Sequence, residues 1–221
     1  MSRPTLRYIF DPLCGWCYGA SPLIEAARKV NGLDIALHAG GLMTGSDRQP
    51  VTEGLRRYVM EHDQRIGAVT GQPFGDAYLN GLLRDTGAVL DSEPPIEAIL
   101  AAEELGGRGL DMLARIQKAH YVEGRRVADR VVLVGLAADI GLPGVTFKPM
   151  LEKVAGPTAP KHIAASRDLL RRVGGQGFPT FVFDAGRGLE TLDAARYFGH
   201  VPTWQEALVG RVSAGHASVR T

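Results

Sequence analysis

The sequence predicts an α/β fold in which a small mixed β-sheet is split by a long all-helical insertion. Three observations carry this. Strand, helix and strand patterns follow one another at the start, the order of a parallel crossover. From about Gly45 to Val173 only helical periodicity recurs. Two short strand patterns then return around a glycine-containing turn.

Taken in order, Thr5–Phe10 (TLRYIF) is a strand apolar enough to be buried on both faces. Asp11-Pro12-Leu13 ends it. A helix follows from Cys14 to Val30, with Leu23, Ile24, Ala27 and Val30 on one face and Asn31-Gly32 closing it. Pro22 should kink that helix, because it removes one backbone donor. Leu33–His38 is the second strand. In the helical stretch Val51, Leu55, Val59 and Ile66 share a face. Ser92 is placed to cap a helix that opens on Pro94-Pro95 and stops at Gly106. Further helices are expected over Leu110–Val122 and Asp129–Ile140, around Phe147–Val154 and over Ile163–Val173. Thr180–Phe183 and Leu189–Leu192 then flank a hairpin turn of about five residues. Short helices over Asp193–Phe198 and Thr203–Val212 finish the fold, and Ala214–Thr221 should fray.

The 221 residues are 45% hydrophobic and 22% charged, ordinary proportions for one folded domain carrying an insertion. Twenty-five basic residues against 24 acidic ones leave a formal charge of +1. No charge run points to nucleic acid or to an anionic membrane surface. No stretch approaches the ~18 uninterrupted apolar residues of a membrane span. The first residues lack the basic-then-apolar layout of a secretory signal. The cytoplasm is therefore the expected location.

The chain has two cysteines, Cys14 and Cys17. Two cysteines placed at random would have this spacing roughly once in 110 chains, so chance is a poor account of the pair. They are too close to staple distant segments, and a structural disulfide would be unusual in the cytoplasm. Cys14-Gly15-Trp16-Cys17 follows a strand and opens a helix, so the first sulfur lies near unpaired backbone N–H groups that favour a thiolate. The spacing puts both sulfurs on one helical face. Cys14 is the expected attacking thiol and Cys17, a turn deeper, the resolving one. Half of a zinc or iron–sulfur site is the alternative, but further cysteines are absent and the six histidines are dispersed. A non-catalytic module holding metal between the two thiols remains a reading of a different class.

A second feature is Gly177-Phe178-Pro179-Thr180, just before the third strand. A proline there suits a strand start, a cis bond or an ordinary loop. Facing the cysteines, Phe178 would offer backbone to an extended substrate. Trp16, between the thiols, is a candidate substrate platform. Tyr18 reads as helix packing, Gly40-Gly41 as a strand end, and His38 and His120 as satisfied structural histidines.

These residues together resemble the DsbA-like branch of the thioredoxin superfamily, which includes the cytoplasmic FrnE-type disulfide isomerases. The resemblance lies in Asp11-Pro12-Leu13-Cys14-Gly15-Trp16-Cys17-Tyr18-Gly19, in Pro22, in the helical insertion and in Phe178-Pro179-Thr180. It runs on through Ala68–Phe74 and Asp91–Pro95 and covers about residues 5 to 212. It implies a thioredoxin-like domain formed by residues 1–44 and 174–221, with residues 45–173 as the inserted helical domain. It implies that Cys14 is the nucleophile, Cys17 its buried partner, Gly15-Trp16 the dipeptide that tunes the potential, and Pro179 a cis proline. The expected activity is thiol–disulfide exchange with protein or small-thiol substrates. No metal or organic cofactor is implied, and glutathione or a thioredoxin-type protein would recycle the pair. The same four residues can reduce, oxidise or isomerise, since potentials of such pairs span roughly −270 to −120 mV.

Two departures from the family stand out. The dipeptide is not the Pro-His of the strong periplasmic oxidant. The buried acid that such proteins carry six residues before the nucleophile is replaced by Tyr8, with Asp11 the nearest acid. A second enzyme reading is an activity like that of the kappa-class glutathione transferases or chromene-carboxylate isomerases, which share the layout but typically have Ser at the position of Cys14 and lack Cys17.

Overall fold

The computed structural model describes residues 3–217. Strand β1 (Thr5–Phe10) lies at the centre of a four-stranded sheet, parallel to β2 (Asp34–Ala39) and antiparallel to Thr180–Asp184. That last strand pairs antiparallel with Leu189–Leu192, giving a mixed sheet as the sequence implies. The first residues after β1 form not one kinked helix but two short ones, α1 (Gly15–Gly19) and α2 (Ser21–Ala27). Pro22 stands in the first turn of α2, where its missing N–H costs nothing, so the chain restarts a helix there instead of bending one.

The stretch between β2 and the closing hairpin is mostly helical, but not entirely. Gln49–Pro50 (β3) pairs antiparallel with Val89–Leu90 (β4), a two-residue ribbon that the sequence reading did not include. The helices are α3 (Glu53–Thr70), α4 (Glu93–Gly106), α5 (Gly109–Tyr121), α6 (Arg130–Asp139), α7 (Gly144–Ala155) and α8 (Thr158–Arg172). Helix α4 is the hub of this unit: Ile96, Ala98, Ile99, Ala101 and Ala102 are all inaccessible to solvent. Its small side chains let neighbouring helices approach on several sides. Thr180–Asp184 (β5) and Leu189–Leu192 (β6) close the sheet, with a turn one residue shorter than expected because Asp184 belongs to the strand. A 3₁₀ turn over Ala194–Tyr197 and α9 (Val201–Ala217) complete the fold. The helix thus runs beyond Ala214, and the rest of the expected frayed tail, 218–221, lies outside the described residues.

Alternation along β1 builds two cores. Tyr8 stacks between Phe10 and Phe181 at centroid separations of 4.9 Å on one face. Trp204 of α9 covers that layer edge-on to Phe181 and donates its indole N–H to the Leu23 carbonyl at 2.9 Å. On the other face Ile9 and Val182 pack against Leu169 of α8, with Phe178 at the edge of both clusters. The C-terminal end of β1 is thereby held from both sides, and the Cys-Gly-Trp-Cys segment begins just beyond it.

Candidate active site

Cys14 is the residue that precedes α1, and its sulfur accepts the Cys17 backbone N–H at 3.3 Å. Its thiol lies 3.4 Å from the Phe178 carbonyl oxygen, to which it donates. Cys14 retains 8% of its surface and Cys17 none, which makes Cys14 the only one of the two that solvent reaches. Burial pushes the Cys17 thiol well above the usual cysteine range, with the hydrogen bond and charge of Cys14 adding to it. The Phe178–Pro179 peptide is cis. The structure thus gathers Cys14, Gly15, Trp16, Cys17, Phe178 and Pro179 around one point, although the two segments are far apart in the chain.

The Phe178 ring explains a glycine. A Cβ on Gly40 would lie 2.2 Å from the ring, so only glycine lets β2 end beneath it. Trp16 stacks on Phe198 at 5.5 Å, and the pair walls a cavity of about 520 Å³ that also touches Phe178, Pro179, Arg65 and Asp193. Tyr18 packs as expected: its ring stacks on Tyr121 at 4.6 Å and its hydroxyl donates to the Pro73 carbonyl at 2.7 Å. Burial lifts that hydroxyl to about 12.

Asp11 is fully buried, and its backbone N–H points at the Cys17 sulfur from 3.5 Å. Its carboxylate accepts from the N–H of Leu13 at 2.8 Å, the N–H of Leu42 at 2.6 Å and the Ser92 hydroxyl at 3.0 Å. Burial lifts this carboxyl to about 6, against the pull of those three donors and of Arg167. Ser92 therefore does not cap α4 with its side chain, as its position suggested. Its hydroxyl is taken by Asp11 and in turn accepts the Met43 N–H at 3.1 Å. Tyr8, six residues before Cys14, donates its hydroxyl to the Cys17 carbonyl at 3.3 Å.

Sequence reasoning missed a second buried acid. Asp63 on α3 is 4% exposed and accepts from the Tyr78 hydroxyl at 2.9 Å. Its signal was legible: it falls four residues after Val59 and three before Ile66, on the apolar stripe of the helix. The histidines are less well provided for than expected. His120 Nδ1 and His38 Nε2 are buried with no hydrogen-bond partner among the described residues, and burial lowers their ring pKa to about 3 and about 4. Both are neutral at physiological pH. No group of three or more metal-binding side chains occurs among the described residues.

Two thiols this close, unequally exposed and with the outer one set against the Phe178 carbonyl, are equipped for disulfide exchange, and the chain is a thiol–disulfide oxidoreductase. Its family follows from comparison: the model of the DSBA-like thioredoxin domain matches residues 5–200, and the chain belongs to that family. Among solved structures it is similar to the cytosolic disulfide reductase DsbM from Pseudomonas aeruginosa, at 54% identity over 95% of this chain and 99% of that one, with a TM-score of 0.90. DsbM has also been solved with GSH, and that structure matches with a TM-score of 0.89. A putative protein disulfide isomerase from Nitrosomonas europaea matches at 26% identity over 96% and 98% of the two chains, with a TM-score of 0.77. A 2-hydroxychromene-2-carboxylate isomerase shares the fold at 15% identity and a TM-score of 0.60, over 97% of this chain and 98% of that one. A comparison with curated proteins gave no match.

Proposed function

We propose that the chain reduces disulfides in the cytoplasm at the expense of glutathione, with Cys14 as nucleophile and Cys17 as resolving thiol. The Cys14 thiolate attacks one sulfur of a substrate disulfide, forms a mixed disulfide and releases one substrate thiolate. Cys17 then loses its proton and attacks Cys14 Sγ, releasing the second substrate thiol and leaving the Cys14–Cys17 disulfide. Two glutathione molecules return the pair to the dithiol and leave as glutathione disulfide. No metal or organic cofactor takes part.

The single observation that carries this reading is the unequal exposure of the two thiols, with Cys14 alone accessible and held against the Phe178 carbonyl. That carbonyl is free to accept an N–H from an extended substrate once the thiol turns away. The likeness to DsbM supports the reducing direction, the cytoplasmic setting and glutathione as partner. The cavity beside Trp16 supports a small peptide thiol, since its walls are largely apolar and Arg65 offers a cation for a carboxylate.

The test couples the purified protein to glutathione, glutathione reductase and NADPH with a mixed-disulfide substrate. The wild type should consume NADPH, Cys14→Ser should not, and Cys17→Ser should accumulate a mixed disulfide visible by mass spectrometry. Equal residual rates in both single variants would overturn the assignment of roles.

A further inference from the structure

We infer that Asp63, contributed by the helical insertion, is a positioning residue whose charge holds the Cys14–Cys17 pair on the reducing side. This rests on the exchange reading above. A Cβ on Gly15 would lie 2.9 Å from Asp63 Oδ1 and 2.8 Å from Ile66 Cδ1. The carboxylate and the isoleucine thus fill the space that a side chain at the first dipeptide position would need, and the acid touches the residue next to the nucleophile. The glycine of Cys-Gly-Trp-Cys is therefore dictated by α3.

A buried carboxylate is costly without partners. Asp63 has the Tyr78 hydroxyl on Oδ2, and no arginine or lysine forms an ion pair with it among the described residues. Burial lifts its carboxyl to about 6, while the Tyr78 hydroxyl and the charge of His62 favour the ionised form. Most of it is charged at neutral pH. Burial pushes the Tyr121 hydroxyl well above its ordinary range, and the charges of Tyr78, Asp63, Cys14 and Cys17 add to that.

At Cys14 two influences then oppose each other. The Cys17 N–H donates to the sulfur, whereas the Asp63 carboxylate lies against Gly15, the next residue, where its negative charge repels negative charge on the dithiol. Charge repulsion of this kind weakens the reduced state relative to the neutral disulfide, and a pair with a weaker reduced state is the stronger reductant. The acid thus opposes the oxidising tendency that a cysteine at a helix start would otherwise have. The Ala77–Gly81 turn that carries Tyr78 lies in the insertion as well, so both members of the tuning pair come from outside the sheet.

The test is the equilibrium of protein dithiol plus glutathione disulfide with protein disulfide plus two glutathione, measured at pH 7 by alkylation. Asp63→Asn keeps the shape and can still accept from Tyr78. It should lower the constant for oxidation of the protein about tenfold, which is about 30 mV less reducing for a two-electron couple. It should also speed alkylation of the reduced protein by iodoacetamide. Tyr78→Phe should shift the constant the same way by a smaller factor, and should add nothing in the Asp63→Asn background. A purely structural role would not give that dependence. A constant within twofold of wild type in a folded Asp63→Asn protein overturns the proposal, as does a Tyr78→Phe effect equal in both backgrounds. Should Asp63→Asn fail to fold, Tyr78→Phe alone decides, an unchanged constant counting against it. Failure of the wild type to equilibrate with glutathione would instead strike the exchange reading itself.

Discussion

Replacing Asp11 by asparagine should change how stability depends on pH, and the size of the change follows from the site. The carboxyl moves from an ordinary 3.8 to about 6 on folding, because burial outweighs its three hydrogen-bond donors. At 1.36 kcal/mol per pH unit this is about 3 kcal/mol of pH-dependent stability. Well below pH 3.8 folded and unfolded chains both hold the proton, and the stabilising share is complete. As pH rises toward 6 the unfolded chain releases its proton first, and that share is lost. Asp11→Asn cannot titrate. It also turns an N–H group toward the Leu42 or the Leu13 and Ser92 donors, and opposing buried donors cost about 2–4 kcal/mol. The variant should therefore be less stable than wild type near pH 4, and the gap should shrink by about 2 kcal/mol by pH 7. Asp63 titrates in the same range in both proteins and cancels from the difference. Urea unfolding at half-unit steps from pH 4 to 8 measures it. A gap constant to within about 1 kcal/mol, or one that widens with pH, refutes the reasoning.

Gly40→Ala should cost about 1–3 kcal/mol, since its Cβ meets the Phe178 ring at 2.2 Å, and should slow exchange by moving the Phe178 carbonyl; urea midpoints and the coupled assay report the two effects. Ser92→Ala should cost about 1–3 kcal/mol by stranding the Met43 N–H, and should steepen the loss of stability between pH 4 and 7 because Asp11 loses a donor; the same urea series checks it. Trp204→Phe should cost about 1–3 kcal/mol through the lost hydrogen bond to Leu23, measured as a lower thermal midpoint. It leaves Trp16 as the sole tryptophan, and its emission should change on oxidation of the wild-type thiols but not when Cys17 is serine.

The sheet strands and most helices were legible because each has an apolar period and a chemical boundary. Thr5–Phe10 and Leu189–Leu192 match the structure end to end. The ribbon of Gln49–Pro50 with Val89–Leu90 was not legible, since two residues carry no alternation and their pairing is non-local. Helix propensity joined Cys14 to Val30, but Ala20 and Pro22 divide it, a choice made by the packing of α1 on α3 and of α2 on α9. At the site, the cysteine spacing and the late proline were readable as local motifs. Sequence alone points the hydroxyl of Ser92 at the nearest helix terminus, because its true acceptor, Asp11, is distant in sequence. Asp63 is legible only as a charge on an apolar stripe, which marks a buried polar partner, here Tyr78.

The helical insertion is more than a cover for the sheet. Asp11 receives donors from three places: the turn after β1, the segment after β2, and Ser92 at the threshold of α4. Its own N–H meets the Cys17 sulfur. From another direction α3 brings Asp63 and Ile66 against Gly15, and Tyr18 hydrogen-bonds to Pro73 just beyond the same helix. Residues 68–74 and 91–95, whose likeness to the family had no local explanation, are thus the stretches that touch the dithiol helix and its buried acid. Severing any of these contacts would alter the surroundings of the thiols before it unfolded the sheet. The insertion and the potential of the pair are therefore physically linked, so substitutions in α3 and at Ser92 should move the redox equilibrium more than equally destabilising substitutions in the outer face of α9.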